Sequence, residues 1–308
     1  MDILLTGATG TLGSALARHW VAQGHRVTAL VRPGSDRRRL AAVAAQLQWL
    51  QADGDELVQT VRAHPAQVVV HTACAYGRRG ETPLQLFEAN LGLGVRLVQG
   101  LLARPTPGRA TLLHTGTVLT PEVSLYALAK QQFSDWAQRL AQLQPAQLQC
   151  LELRLQHFYG PGDDDSKFSS HVLRSCRQQV PTLALTACTQ RRDFIHLDDA
   201  VAAIDTVLQR RAELPAWDAV DVGSGEAPPL RDFVETAHRL LGSRTRLDFG
   251  ALAVRAHEPP LCVADTQRLR AWGWRPRHSL ASGLQATIAA EFGHPLTRPV
   301  STETLPCN

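Results

Sequence analysis

Short apolar runs alternate along this chain with longer stretches whose apolar residues recur at helical spacing. Compact runs at residues 3–5, 26–31, 47–50, 68–71, 111–114 and 148–155 predict strands. Between them, helical spacing at 14–23, 39–45, 55–63, 83–102 and 125–143 predicts helices. Val68-Val69-Val70 is apolar at every position, the pattern of a strand covered on both faces. Strands alternating with helices imply an α/β fold built on a doubly wound parallel sheet. The alternation breaks at Gln156. A loop is expected over 159–165, a helix over 171–178, a strand over 194–197 and a helix over 200–209. Helical stretches at 230–241, 266–272 and 280–291 predict a smaller, mainly helical unit. The expected division is 1–155 plus 190–222 for the sheet domain and 156–189 plus 223–294 for the second domain. Residues 295–308 are polar and aperiodic and read as a tail.

The first strand runs into Thr6-Gly7-Ala8-Thr9-Gly10-Thr11-Leu12-Gly13 and then a helix. A helix N-terminus exposes unpaired N–H groups and a partial positive charge, which together hold a pyrophosphate. Gly7 permits the tight turn, Gly10 lets backbone approach phosphate, and Gly13 lets helix and strand pack closely. Set between a strand and a helix, this is the pattern of a Rossmann dinucleotide site.

The second chemical feature is Tyr126-Ala127-Leu128-Ala129-Lys130. Positions i and i+4 share a helix face, so phenol and ammonium are expected side by side, with the tyrosine pKa lowered. Such a phenol suits proton transfer near neutral pH. Thr115 and Thr117 end the preceding strand, where the Thr117 hydroxyl would hold a substrate oxygen beside the phenol.

Charge and composition narrow the field. The 308 residues carry a formal net charge of +4, and Arg37-Arg38-Arg39 is the tightest basic run. No basic stripe interleaved with aromatics points to nucleic acid. Cys74, Cys150, Cys176, Cys188, Cys262 and Cys307 are widely spaced without zinc-ligand patterns, so no metal is expected and free thiols in a cytoplasmic protein are. The first apolar run is too short for a signal peptide, and none reaches the ~18–20 residues of a membrane span.

These segments resemble the extended short-chain dehydrogenase/reductases of the nucleotide-sugar epimerase/dehydratase type, from Met1 to about Phe292. The likeness rests on residues 6–13, His71-Thr72-Ala73, Asn90-Leu91-Gly92-Leu93-Gly94 and Tyr126 to Lys130. Tyr159-Gly160-Pro161-Gly162, residues 192–199, Ala264-Asp265-Thr266 and Gly273-Trp274-Arg275-Pro276 extend it. Residues 71–77, 153–163 and 167–168, Phe249-Gly250-Ala251 with Arg255 and Glu258, and the short link from Thr117 to Tyr126 are most similar to the CDP-abequose and CDP-paratose synthase group. The resemblance implies that Thr117, Tyr126 and Lys130 are catalytic. It assigns the cofactor to Gly7, Thr9, Gly10, Thr11, Leu12, Gly13, Asp53, Ala73 and Asn90, together with Tyr126 and Lys130. Arg192 and Arg255 would grip a sugar nucleotide's diphosphate, and His157 and Lys167 would contact the substrate; His157 stands where epimerases commonly have asparagine. A homodimer formed through the helices of Asn90 and Tyr126 is also implied. Asp198 and Asp199 read as caps of the following helix.

The second strand ends Ala29-Leu30-Val31-Arg32, with valine at the place where an acid would bind the ribose of NAD. Arg32 favours NADPH, with NAD the alternative. The expected reaction is hydride delivery to C4 of a nucleotide-activated 4-keto-deoxyhexose, with Tyr126 as acid. A nucleotide-sugar 4-epimerase and a non-catalytic cofactor sensor are the other readings.

Overall fold

A computed structural model describes residues 1–54, 56–105 and 108–293. The whole expected tail at 295–308, residue 294 of the expected second domain and the expected helix start at Asp55 lie outside the described residues. Seven parallel strands form the main sheet, β1 (Asp2–Thr6), β2 (Arg26–Val31), β3 (Gln48–Gln51), β4 (Val68–His71), β5 (Ala110–Thr115), β6 (Leu148–Leu155) and β11 (Trp217–Val222). Their order is β11-β6-β5-β4-β1-β2-β3. The chain winds outward from β1 in both directions, which opens a crevice at the C-terminal ends of β1 and β4.

Side-chain alternation sorts each strand between two cores. Ile3 and Leu5 join the cluster beneath α1 (Thr11–Ala22) and α7 (Leu197–Arg210). Leu4 faces the cluster beneath α2 (Glu56–Ala63), α4 (Leu93–Leu102) and α5 (Leu125–Leu143). α3 (Pro83–Phe87) leads into α4 through a π-turn over Glu88–Gly92. The expected helix over 39–45 is instead a run of 3-10 turns at Arg38–Gln46, with only Leu40 buried. With one apolar anchor, little packing drives a regular α-helix there.

The third cluster gathers around Phe233 and Tyr159. It draws on β7 (His157–Tyr159), α6 (Phe168–Arg177), β8 (Thr182–Leu185), β10 (Phe194–His196), α8 (Leu230–Leu240) and α10 (Leu280–Phe292). This part is less purely helical than expected. β7 pairs with β10, β8 with β12 (Arg246–Phe249), and β9 (Arg191–Arg192) with β13 (Leu261–Cys262), all parallel. α9 (Gln267–Ala271) packs elsewhere, because Leu269 and Trp274 enter the core beneath α1 and α7. Asp193, fully buried, ties these pieces together by accepting from Ser224 N at 2.7 Å, Gly225 N at 2.9 Å and Ala264 N at 3.2 Å.

Candidate active site

The crevice at the sheet's C-terminal edge continues into the third cluster as one cleft of about 1320 Å³. Its floor is the glycine turn. Gly7 sits at φ +70°, and a Cβ there would come within 2.5 Å of Ala73 N. A Cβ on Gly13 would lie 2.1 Å from Gly7 O, so only glycine lets the helix meet the turn. Gly10 N donates to Gly7 O at 2.9 Å, and α1 begins at the next residue, aiming its free N–H groups at the cleft. Thr9, Thr11, Leu12 and Ala73 line the same space, as do Arg32, Ser35 and Arg39 past β2. The cradle fits the diphosphate of a dinucleotide. Asp53 lines the cleft from an exposed position, its Oδ1 accepting from Gly54 N at 2.8 Å.

Ser124 caps α5 by accepting from Ala127 N at 3.2 Å, which starts the helix at Leu125 and puts Tyr126 in its first turn. Tyr126 and Thr117 both line the cleft, half-buried, with the Thr117 hydroxyl close enough to the phenol to favour its ionised form. Tyr76 closes over the phenol, ring centroids 5.0 Å apart.

The expected lowering of the Tyr126 pKa does not hold. Burial and the neighbouring Cys74 push the phenol well above its ordinary value, against the smaller pull of the Thr117 hydroxyl and the Arg78 charge. Lys130 is 2% exposed and donates from Nζ to Thr115 Oγ1 at 3.3 Å, beneath the cleft wall rather than among the residues lining it. Burial lowers its own pKa, while Cys74 and Glu152 raise it. Sharing a helix face did not decide where the long side chain would deliver its charge.

Asn90 is a second correction. It is fully buried and does not line the cleft. Its Oδ1 accepts from Ala75 N at 3.1 Å, and its Nδ2 donates to Ala75 O and Leu86 O, both at 2.9 Å. The side chain is spent on holding the segment after β4 against the π-turn. Asp199 does not cap α7 either. His196 does, its Nδ1 accepting from Asp198 N, while Asp199 accepts from Arg277 N and His278 N at 3.0 Å each.

On the far wall, His157, Lys167, Arg192 and Arg255 all line the cleft. His157 has its pKa pushed down to about 4 by burial and the nearby Arg192, Lys167 and Arg78 charges, so its ring is neutral. Arg192 is 1% exposed and donates to Glu258 Oε1 at 2.8 Å. Arg255 is exposed at the rim. The loop between β7 and α6 is held across the cleft. Gly162 O accepts from Arg39 at 2.7 Å and from Thr11 at 3.3 Å, and Ser166 O from Arg78 at 3.1 Å. Asp163, Gln190 and Glu258 are cleft residues to which the sequence reading gave no role. Asp163 carries a local signal, an acid four residues before a lysine, and Glu258 stands three residues after Arg255.

Outside the cleft, ligand atoms of His196, Asp198 and His278 lie within 4.8 Å of one another. His196 Nδ1 already serves as the helix cap there.

Comparison with known proteins agrees with this layout. CDP-abequose synthase of Salmonella typhimurium is 26% identical over 93% of this chain and 97% of its own length. The dTDP-6-deoxy-L-talose 4-dehydrogenase (NAD(P)(+)) of Kitasatospora kifunensis is 25% identical over 96% of each chain. Among solved structures, UDP-glucose 4-epimerase of Thermotoga maritima superposes with a TM-score of 0.80 at 18% identity, covering 94% of this chain and 98% of that one. MoeE5 in complex with UDP-glucose and NAD gives 0.77 at 24%, with the same coverage. At these identities the two structures speak for the fold alone. The model of the NAD dependent epimerase/dehydratase family matches residues 3–223, and the chain belongs to that family.

Proposed function

We propose that this protein is an NADPH-dependent reductase of a nucleotide-activated 4-keto-deoxyhexose, acting in cytoplasmic deoxysugar biosynthesis. The observation that carries the reading is a Thr117–Tyr126 hydroxyl pair on the wall of a cleft whose floor is a glycine turn that no Cβ could enter. The similarity to CDP-abequose synthase over nearly the whole chain supports the substrate class, with cytidine as the first base to test. Arg32, beside Ser35 and Arg39 at the end of β2, supports the 2′-phosphate of NADPH over NAD.

When bound, the cofactor supplies the hydride. The turn residues Gly7, Thr9, Gly10, Thr11, Leu12 and Gly13 would hold its diphosphate, with Arg32, Asp53 and Ala73 along the adenosine side. Thr117 orients the substrate carbonyl, and Tyr126, protonated at working pH because burial holds its pKa high, donates the proton to the developing alkoxide. Lys130, reaching Thr115 from below, keeps positive charge under the site. Arg192 and Arg255 would take the substrate diphosphate, and His157 and Lys167 would face its sugar. The division proposed for these tasks is 1–155 plus 190–222 for cofactor and 156–189 plus 223–294 for substrate.

We further propose a homodimer through α3 and α5. Phe87 and Trp136 are 46% and 54% exposed there, and they border a hollow of about 640 Å³ also lined by Leu91 and Val95.

The test offers purified protein a panel of 4-keto-6-deoxy sugar nucleotides while NADPH absorbance is followed. Stoichiometric NADPH consumption with the wild type, and at least a thousandfold loss in Tyr126→Phe with NADPH binding intact, is the expected result. NAD retained through purification with interconversion of 4-epimers would establish the epimerase instead. Cofactor binding without turnover of any sugar would leave a sensor.

A further inference from the structure

The loop that bridges the cleft carries a lysine whose charge is already answered. Lys167 Nζ lies 2.9 Å from Asp163 Oδ1 and 3.3 Å from the Phe158 ring centroid, with the Tyr76 ring at 5.9 Å. Its side chain is 14% exposed, that of Asp163 2%. Asp163 Oδ1 also accepts from Asp164 N at 2.9 Å. The other carboxylate oxygen, Oδ2, is buried with no hydrogen-bond partner among the described residues. His157 Nδ1, on the same wall, is in the same position.

The pair is not a mobile surface contact. Arg39 and Thr11 hold the loop from the phosphate-turn side. Arg78 and Arg79 hold it from the Tyr76 side, the latter donating to Asp164 Oδ2 at 2.8 Å. The ammonium and carboxylate therefore stand at a set place, near the Tyr76 ring that also packs against Tyr126.

A free lysine there would welcome a sugar carboxylate. This one is neutralised at close range, and the atom left wanting a partner is an oxygen of a buried carboxyl group. Left unmatched, such an atom loses the hydrogen bonds it made in water, and a second carboxylate beside it adds repulsion.

Resting on the nucleotide-sugar reading, we infer that the sugar taken at this cleft is uncharged and that the Asp163–Lys167 pair excludes uronic acid sugars. Asp163 is thus a specificity residue, and Lys167 its electrostatic counterpart rather than a carboxylate anchor.

Calorimetric binding in the presence of NADPH tests this with matched pairs, UDP-glucose against UDP-glucuronic acid and CDP-glucose against CDP-glucuronic acid. Base and diphosphate contacts cancel within each pair. Wild type should favour the neutral sugar at least tenfold. Asp163→Asn should erase or reverse that preference by releasing the Lys167 charge, with UDP and CDP binding unchanged. Lys167→Met, which keeps the carboxyl group, should widen the preference, and it decides the matter if Asp163→Asn does not fold. Equal affinity of the wild type for both members of a pair, or a ratio unmoved by both substitutions, would overturn the inference. Sugars that add nothing to the affinity of free nucleoside diphosphate would instead bring down the nucleotide-sugar reading beneath it.

Discussion

Tyr126 shows how a residue type and its spacing can be right about place and wrong about electrostatics. It reaches the cleft in the first turn of α5, yet its phenol is held protonated by burial rather than acidified by Lys130. Protonated through the neutral range, the phenol can still donate to an alkoxide, a far stronger base, although general acid catalysis is most effective with a pKa nearer the working pH. Beneath it lie His71 and His114, both fully buried. Burial and the Lys130 charge push His114 down to about 3 and His71 well below its ordinary value. Below about pH 6.5, and down to about pH 3 for His114, the unfolded chain therefore binds protons that the folded chain refuses, so stability falls as pH falls. His114 contributes up to about 1.4 kcal/mol per pH unit there, and His71 acts in the same direction. Thermal unfolding followed from pH 7 to pH 4 should show a steep loss of Tm, made shallower by His114→Phe. An unchanged slope in that variant would show that the acid sensitivity lies elsewhere.

At the scale of elements, the cap of α5 links stability to chemistry. Ser124 accepts from Ala127 N, and the helix it starts carries Tyr126 two residues on. Ser124→Ala should cost about 1 kcal/mol of stability. Denaturant unfolding and steady-state kinetics on the same sample should show this small loss together with a disproportionate fall in kcat, because the phenol's register depends on that first turn. The main-sheet strands β1 to β6 were legible because they are apolar runs between helical stretches. β11 escaped the sequence reading because Asp218 and Asp221 interrupt its pattern at a sheet edge, where half of each residue's surroundings is not sheet. β10 falls where a strand was expected over 194–197, whereas the paired fragments β7, β8, β9, β12 and β13 are two to four residues long, too short to carry a period. They form because distant segments meet.

For the whole molecule, the face built by α3 and α5 has large apolar side chains that no described residue covers, with Leu84 at 68%, Leu125 at 50% and Trp136 at 54% exposed. Light scattering should give a dimer for the wild type, and Trp136→Glu should shift it to monomer, since a charge in a desolvated interface core lacks a partner. A wild-type monomer would remove the dimer proposal without touching the cleft.

The glycine turn, the run of parallel strands and the Tyr126 helix were set by local sequence, because φ freedom, period and capping are properties of neighbours along the chain. Tertiary structure alone decided that Lys130 turns to Thr115, that Asn90 spends its amide on Ala75, and that the neighbouring Lys167 and Asp163 are buried together with one oxygen left over. Those outcomes depend on burial and on which polar groups distant segments bring within reach, and spacing along one helix carries no information about either.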